Sequence, residues 1–223
     1  MHLHAGQHTV VHFAGLAFNL DTIYMTWLTA AIVIVITMLA TRGRSLVPSG
    51  MQNAVEAILE MLTGQMKASL GHHWPLVSSV LITLFLFIFI GNEIGLLPNP
   101  HIIASPTNDL NTTLGLALAS SATVWVTGLR VKGVGYLKHF FKPFAPFVVI
   151  NLMEEISKPL TLAFRLFGNI LAGEILLEIL YHLAPYGAPI IWLVFSLVIG
   201  LIQAFVFFIL TTSYLSMAVG EEH

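Results

Sequence analysis

Five stretches of the chain stay apolar for about as long as a membrane is thick. A helix rising about 1.5 Å per residue needs about 20 apolar residues to cross roughly 30 Å of hydrocarbon. Thr22 to Thr41 meets this, with Trp27 near its start and Arg42 and Arg44 just past its end. Trp74 to Leu97 meets it again, closed by Pro98 and Pro100, and Leu110 to Leu129 a third time. Two longer segments follow, Phe147 to Leu183 and Ala188 to Val219. As helices each would run roughly 45–55 Å, too long to stand upright in a bilayer. They are predicted to tilt strongly and to form a hairpin through Ala184-Pro185-Tyr186-Gly187, with Pro159 able to bend the first of them.

One segment has a different pattern. From Val47 to Leu70, Glu56, Glu60 and Lys67 interrupt apolar residues at helical spacing, including Val55, Leu59 and Leu62. Such an amphipathic helix is expected to lie at the membrane interface rather than cross it. The predicted fold class is an all-α integral membrane protein, a single membrane domain over residues 1–223. It has five membrane-embedded helices and one interfacial helix, the last two embedded helices long and strongly tilted.

The basic residues orient this bundle. Arg42, Arg44 and Lys67 fall between the first and second spans; Arg130, Lys132, Lys138 and Lys142 fall between the third and fourth. The leader (residues 1–21), the Pro98–Asp109 loop and the Ala184–Gly187 turn carry none. The positive-inside rule then puts the N-terminus outside and the C-terminus in the cytoplasm. The leader lacks the basic start of a cleaved signal. Its histidines His2, His4, His8 and His12 suit a polar, mobile segment better than a metal site.

Composition narrows the classes. Apolar residues make up 57% of the 223 and charged residues 9%, against about a quarter charged in soluble domains. A formal net charge of −2 gives no reason to expect nucleic acid as a partner. The chain has no cysteine, so it offers no disulfide, thiolate metal site or cysteine nucleophile. No glycine loop of the phosphate-cradling kind is present, and no cofactor is expected.

The chemistry concentrates on the fourth span. Glu154, Glu155, Lys158, Arg165, Glu174 and Glu178 all lie on it, and ionisable groups at membrane depth cost several kcal/mol each, so they usually serve function. Glu154 and Lys158, four apart, are placed to pair as an interfacial salt bridge. Arg165 has no carboxylate within a turn. At 100° per residue, Glu154, Lys158, Thr161, Arg165, Asn169 and Ala172 all fall within about 60° of one direction. Glu174 lies about 180° from Arg165, and Glu178 and His182 continue it in four-residue steps. Carboxyls and an imidazole so arranged can pass protons. Arginine does not release its proton, so Arg165 is suited to block a path or to draw a proton off a facing carboxyl. On the last span, Gln203 has Ser196 and Tyr214 on its face and needs a partner in hydrocarbon; Arg165 is the expected one. Thr211, Thr212 and Ser213 are expected to bond back within their helix.

The run from Ser157 to Glu174, SKPLTLAFRLFGNILAGE, resembles the signature of the a subunit of bacterial F-type ATP synthases. So do Ile202-Gln203-Ala204-Phe205-Val206-Phe207, Val47-Pro48-Ser49-Gly50-Met51-Gln52-Asn53 and Asn108-Asp109-Leu110-Asn111, and the likeness extends from Leu16 to the Glu221-Glu222-His223 tail. The resemblance implies a rotary-motor stator subunit of the inner membrane, translocating protons in ATP synthesis. Its partners would be the c-subunit ring, the b-subunit peripheral stalk, the lipid bilayer and protons, and it would have no catalytic site of its own. Arg165 would be the essential arginine facing the ring, supported by Asn169 and Gln203. Glu174 would line the half-channel from outside, with Asp109 and Asn111 near its mouth. Glu154 or Glu155, with Ser157, would border the cytoplasmic half-channel.

The family likeness is incomplete at one point. Some relatives complement the outer carboxylate with a histidine from the last helix, where this chain has Ser196; others place a histidine or lysine where it has Gly173. Glu178 and His182 are candidates to fill that gap. A self-contained ion-coupled secondary transporter is the alternative, but it would need repeat symmetry that the sequence does not display.

Overall fold

The computed structural model describes residues 9–13, 15–42, 50–96, 105–136 and 147–220. His2, His4, His8, Arg44, Val47 to Ser49, Pro98, Pro100, Lys138, Lys142 and the Glu221–His223 tail fall outside them. Among the described residues, six α-helices carry the fold: α1 (Leu20–Thr41), α2 (Gly50–Leu70), α3 (Ser78–Gly95), α4 (Leu110–Lys132), α5 (Phe147–Leu183) and α6 (Ala188–Val219). All but α2 are long and apolar enough to cross a membrane.

In lipid, moving an apolar side chain from tail to protein gains little, so helices hold together by close packing and interhelical hydrogen bonds. Both are present. Leu62 and Met66 of α2, Phe85 and Ile88 of α3, Leu162 and Leu166 of α5, and Phe207 and Leu215 of α6 join one continuous buried core. Phe208 meets Phe85 edge-on, with ring centroids 6.2 Å apart. Ser120 of α4 and Thr211 of α6 share a hydrogen bond of 2.9 Å. Thr211 and Thr212 also donate back to Phe207 and Phe208, as expected of hydroxyls in apolar helices.

The apolar stripe of α2 is spent on protein rather than on lipid. Leu62, Met66 and Leu70 are buried, Glu56, Glu60 and Lys67 are exposed, and Ser216 of α6 donates to the Ser69 carbonyl at 2.8 Å. α5 continues as one helix through Pro159. Regular α3 begins only at Ser78, because Gly71–Leu76 with Pro75 forms a 3₁₀ turn ahead of it.

The described part of the leader forms two short strands. β1 (Val10–Phe13) and β2 (Leu16–Asn19) form an antiparallel hairpin pairing Val10 with Asn19 and Phe13 with Leu16. Gly15 supplies the positive φ, +80°, that the tight turn needs. His12 is exposed on this hairpin.

Candidate ion-translocation site

The site rests on α5 and the helices against it. Pro159, Leu162, Leu166 and Ile170 form the buried stripe of α5, and Glu174 continues it one turn further, half-buried. A short 3₁₀ turn, Pro106–Asn108, meets the carboxylate there, and Asn108 Nδ2 donates to Glu174 Oε2. Beside it, Asp109 caps α4 by accepting from the Asn111 amide at 2.8 Å, and is itself buried. Its second oxygen accepts from Asn19 Nδ2 at 2.6 Å, which anchors the hairpin over this end of the bundle. Asn111 is exposed there, and Asp109 and Asn111 line an open cleft of about 470 Å³ with Asn19, Thr22 and Trp27. Glu178 is half-buried and His182 exposed, leading along α5 from Glu174 to its end.

The far end of α5 holds a second polar group. Lys158 bridges Glu154 at 3.2 Å and Glu155 at 3.1 Å. The two carboxylates differ: the side chain of Glu155 is 11% exposed, that of Glu154 55%. Trp125 of α4 donates to Glu155 at 2.6 Å, and Lys158 lies over the Tyr214 ring at 5.6 Å. Burial, and then the charge of Glu155, pushes the Tyr136 phenol up to about 12, so it is a neutral hydroxyl at physiological pH. Ser157 is exposed at this end.

Arg165 sits between the two groups, about 14 Å along the helix from Glu155 and from Glu174. It is exposed on the outer face of α5 with Thr161, Asn169 and Ala172, and it makes no ion pair with any described residue. The expected Arg165–Gln203 pair does not form. Gln203 Oε1 instead accepts from Asn169 Nδ2, because Asn169 stands one turn on, level with Gln203, and its short amide points into the helix contact. Trp192 donates to the Gly173 carbonyl at 3.1 Å, and Ser196 Oγ lies against Gly173, so α6 runs antiparallel past α5. Ser196 and Gln203 are both buried.

The family model described as ATP synthase A chain matches residues 23–216. The chain belongs to that family. Its members include subunit a of ATP synthase from Desulforamulus reducens, 40% identical over 95% of this chain and 84% of that protein. The subunit a proteins of Acidothermus cellulolyticus (38%, over 96% of this chain and 82% of the relative) and Streptococcus agalactiae serotype Ia (36%, over 95% and 96%) are similar over comparable lengths. Membership and the five long apolar helices together make this a multi-pass membrane protein.

One buried polar cluster lies outside the residues expected from the sequence. Asn92 of α3 donates to the Gly200 carbonyl of α6 at 3.1 Å and accepts from Thr107 at 2.7 Å. Ser105 bonds both Thr107, at 2.6 Å, and the Gly91 carbonyl, at 2.9 Å. Next to Asn92 is Glu93, the one charged residue of α3. A carboxyl alone in an apolar span was the signal that would have found it.

Proposed function

We propose that this chain is the proton-translocating stator subunit of an F-type ATP synthase, with two half-channels that meet the c-ring on either side of Arg165. The observation that carries the reading is the position of Arg165: outward on α5, unpaired among the described residues, and midway between two polar groups at opposite ends of the helix. Around it the outer surface of the hairpin is apolar, with Phe164, Ile191, Phe195, Val198 and Ile202 exposed. A rotor helix bearing a protonated carboxyl suits that surface, because a neutral acid crosses apolar ground at far lower cost than a carboxylate.

The outer path runs from the cleft at Asp109 and Asn111 and from His182 and Glu178 to Glu174, and passes Ser196 on its way to the ring. The cytoplasmic path leaves through Glu155, with Glu154, Ser157 and Lys158 at its mouth. Arg165 keeps its proton, so it does not conduct. It stabilises the deprotonated ring carboxyl as it passes and prevents protons from short-circuiting between the paths. The basic loops orient the chain with the Glu174 end outside and the Glu155 end in the cytoplasm. The b-subunit stalk and the ring are its partners in this reading.

The test is proton flux through the assembled complex in inverted vesicles with Glu174→Gln and with Glu155→Gln. Each substitution should slow flux, and the reading fails if both conduct as the parent does.

A further inference from the structure

Ser196, Gly200 and Gln203 lie at i, i+4 and i+7 on α6, within about 60° of one another, so they form one face. All three are buried. Two levels of that face are matched to α5: Ser196 to Gly173, next to Glu174, and Gln203 to Asn169. Gly200 falls between them, about 6 Å from the Ser196 level and about 4.5 Å from the Gln203 level along the axis.

Glu93 fills this middle level. Its Oε1 lies 2.9 Å from where a Cβ on Gly200 would stand, so the absence of a side chain at Gly200 makes room for the carboxyl. Glu93 Oε1 is sealed from solvent and accepts no hydrogen bond from the described residues; the same holds for Ser196 Oγ and, as an unused donor, Gln203 Nε2. A carboxyl oxygen, a hydroxyl and an amide orphaned on three successive turns are costly in hydrocarbon unless a chain of water or a moving proton serves them. α6 brings no Asp, Glu, Lys, Arg or His to this contact, and α3 brings only Glu93. The chain neighbour of Glu93, Asn92, accepts from Thr107, whose own neighbour Asn108 donates to Glu174, so one turn packs beside both carboxyls.

We propose that Glu93 is a proton-relay residue of the outer path, taking a proton from the Glu174 level and handing it towards the ring at the Gln203 level. The Glu93 carboxylate gains one proton as the Glu174 carboxyl loses one, directly or through a bridging hydroxyl or water. It returns to carboxylate when the ring carboxylate is protonated, so one proton crosses with no net change in the chain. The assignment rests on the proton-path reading above, and it supplies a titratable group on α3 at the Gly200 level, between Ser196 and Gln203, where α6 has none.

The experiment uses the assembled ATP synthase in vesicles, with Glu93→Gln, Glu93→Asp, Glu93→Cys and Arg165→Ala compared for subunit content, passive proton flux and ATP-driven pumping. Glu93→Gln should lower flux about tenfold or more, and Glu93→Asp should restore most of it. The chain has no native cysteine, so Glu93→Cys gives a single thiol. A small thiosulfonate reagent should modify it from the Glu174 side and block flux. Parent-level flux in Glu93→Gln, equal loss in Glu93→Asp, or a thiol inert from both sides overturns the assignment. Parent-level pumping in Arg165→Ala overturns the underlying reading instead, so the two failures are distinguishable.

Discussion

Asn169 donates its side-chain amide to Gln203 across the α5–α6 contact, while Arg165, one turn back on α5, points out of the bundle. The amide pair thus holds the two helices in register at the arginine, and the arginine stays available to a partner outside the chain. Gln203→Leu removes the acceptor and leaves Asn169 unpaired, which should cost about 0.5–1.5 kcal/mol. Thermal unfolding of the purified complex should fall accordingly, and coupled pumping should fall more than passive flux. An unchanged unfolding midpoint would show that the pair does not hold the register.

Two glycines make contrasting predictions. A Cβ at Gly95 would stand 2.3 Å from Ser105 Cβ and 2.8 Å from its backbone, so Gly95→Ala must move the turn that carries Ser105 and Thr107. A loss of about 1–3 kcal/mol is expected, read as reduced subunit content in membranes. At Gly200 the nearest atom is the tip of the flexible Glu93 side chain. Gly200→Ala should therefore assemble nearly normally and yet conduct protons more slowly. The reverse order of severity in assembly would contradict this packing.

The hairpin is tied down by the bond between Asn19 and Asp109. Asn19→Ala removes a hydrogen bond to a charged group, worth about 1.5–3 kcal/mol. Hydrogen exchange over Val10–Asn19 should quicken, with α4 protected as before because the Asp109 cap on Asn111 is untouched. Equal exchange in parent and variant would mean that the tie contributes nothing.

Glu178 and His182 are the proposed outer feed to Glu174. The double variant Glu178→Gln with His182→Ala should slow proton flux severalfold without loss of subunit. Parent-level flux would leave the cleft at Asp109 and Asn111 as the way in.

Much of this was legible in the sequence, for reasons that also mark where legibility stopped. Apolar runs about as long as the bilayer is thick identify the long helices because lipid leaves the backbone few alternatives. Helical phase put Thr161, Arg165, Asn169 and Ala172 on one face, and all four are exposed. Phase on one helix cannot choose among partners on another, however. Gln203 takes the nearer amide, Asn169, rather than the charge of Arg165. The Asn108–Glu174 contact joins residues 66 apart through a turn with no periodicity to read. β1 and β2 are four residues each, too short for alternation to stand out beside the apolar run of α1. Glu93 was visible as a lone carboxyl, but its meaning depends on Gly200, which only the packing of α3 on α6 brings near.

The most direct test of Arg165 as the barrier between two proton paths is Arg165→Ala in the assembled complex, with ATP-driven acidification of inverted vesicles measured beside ATP hydrolysis. Full subunit content is expected, since Arg165 makes no ion pair among the described residues, with pumping lost to background while hydrolysis continues. Acidification at the parent rate would contradict the claim that Arg165 separates two proton paths.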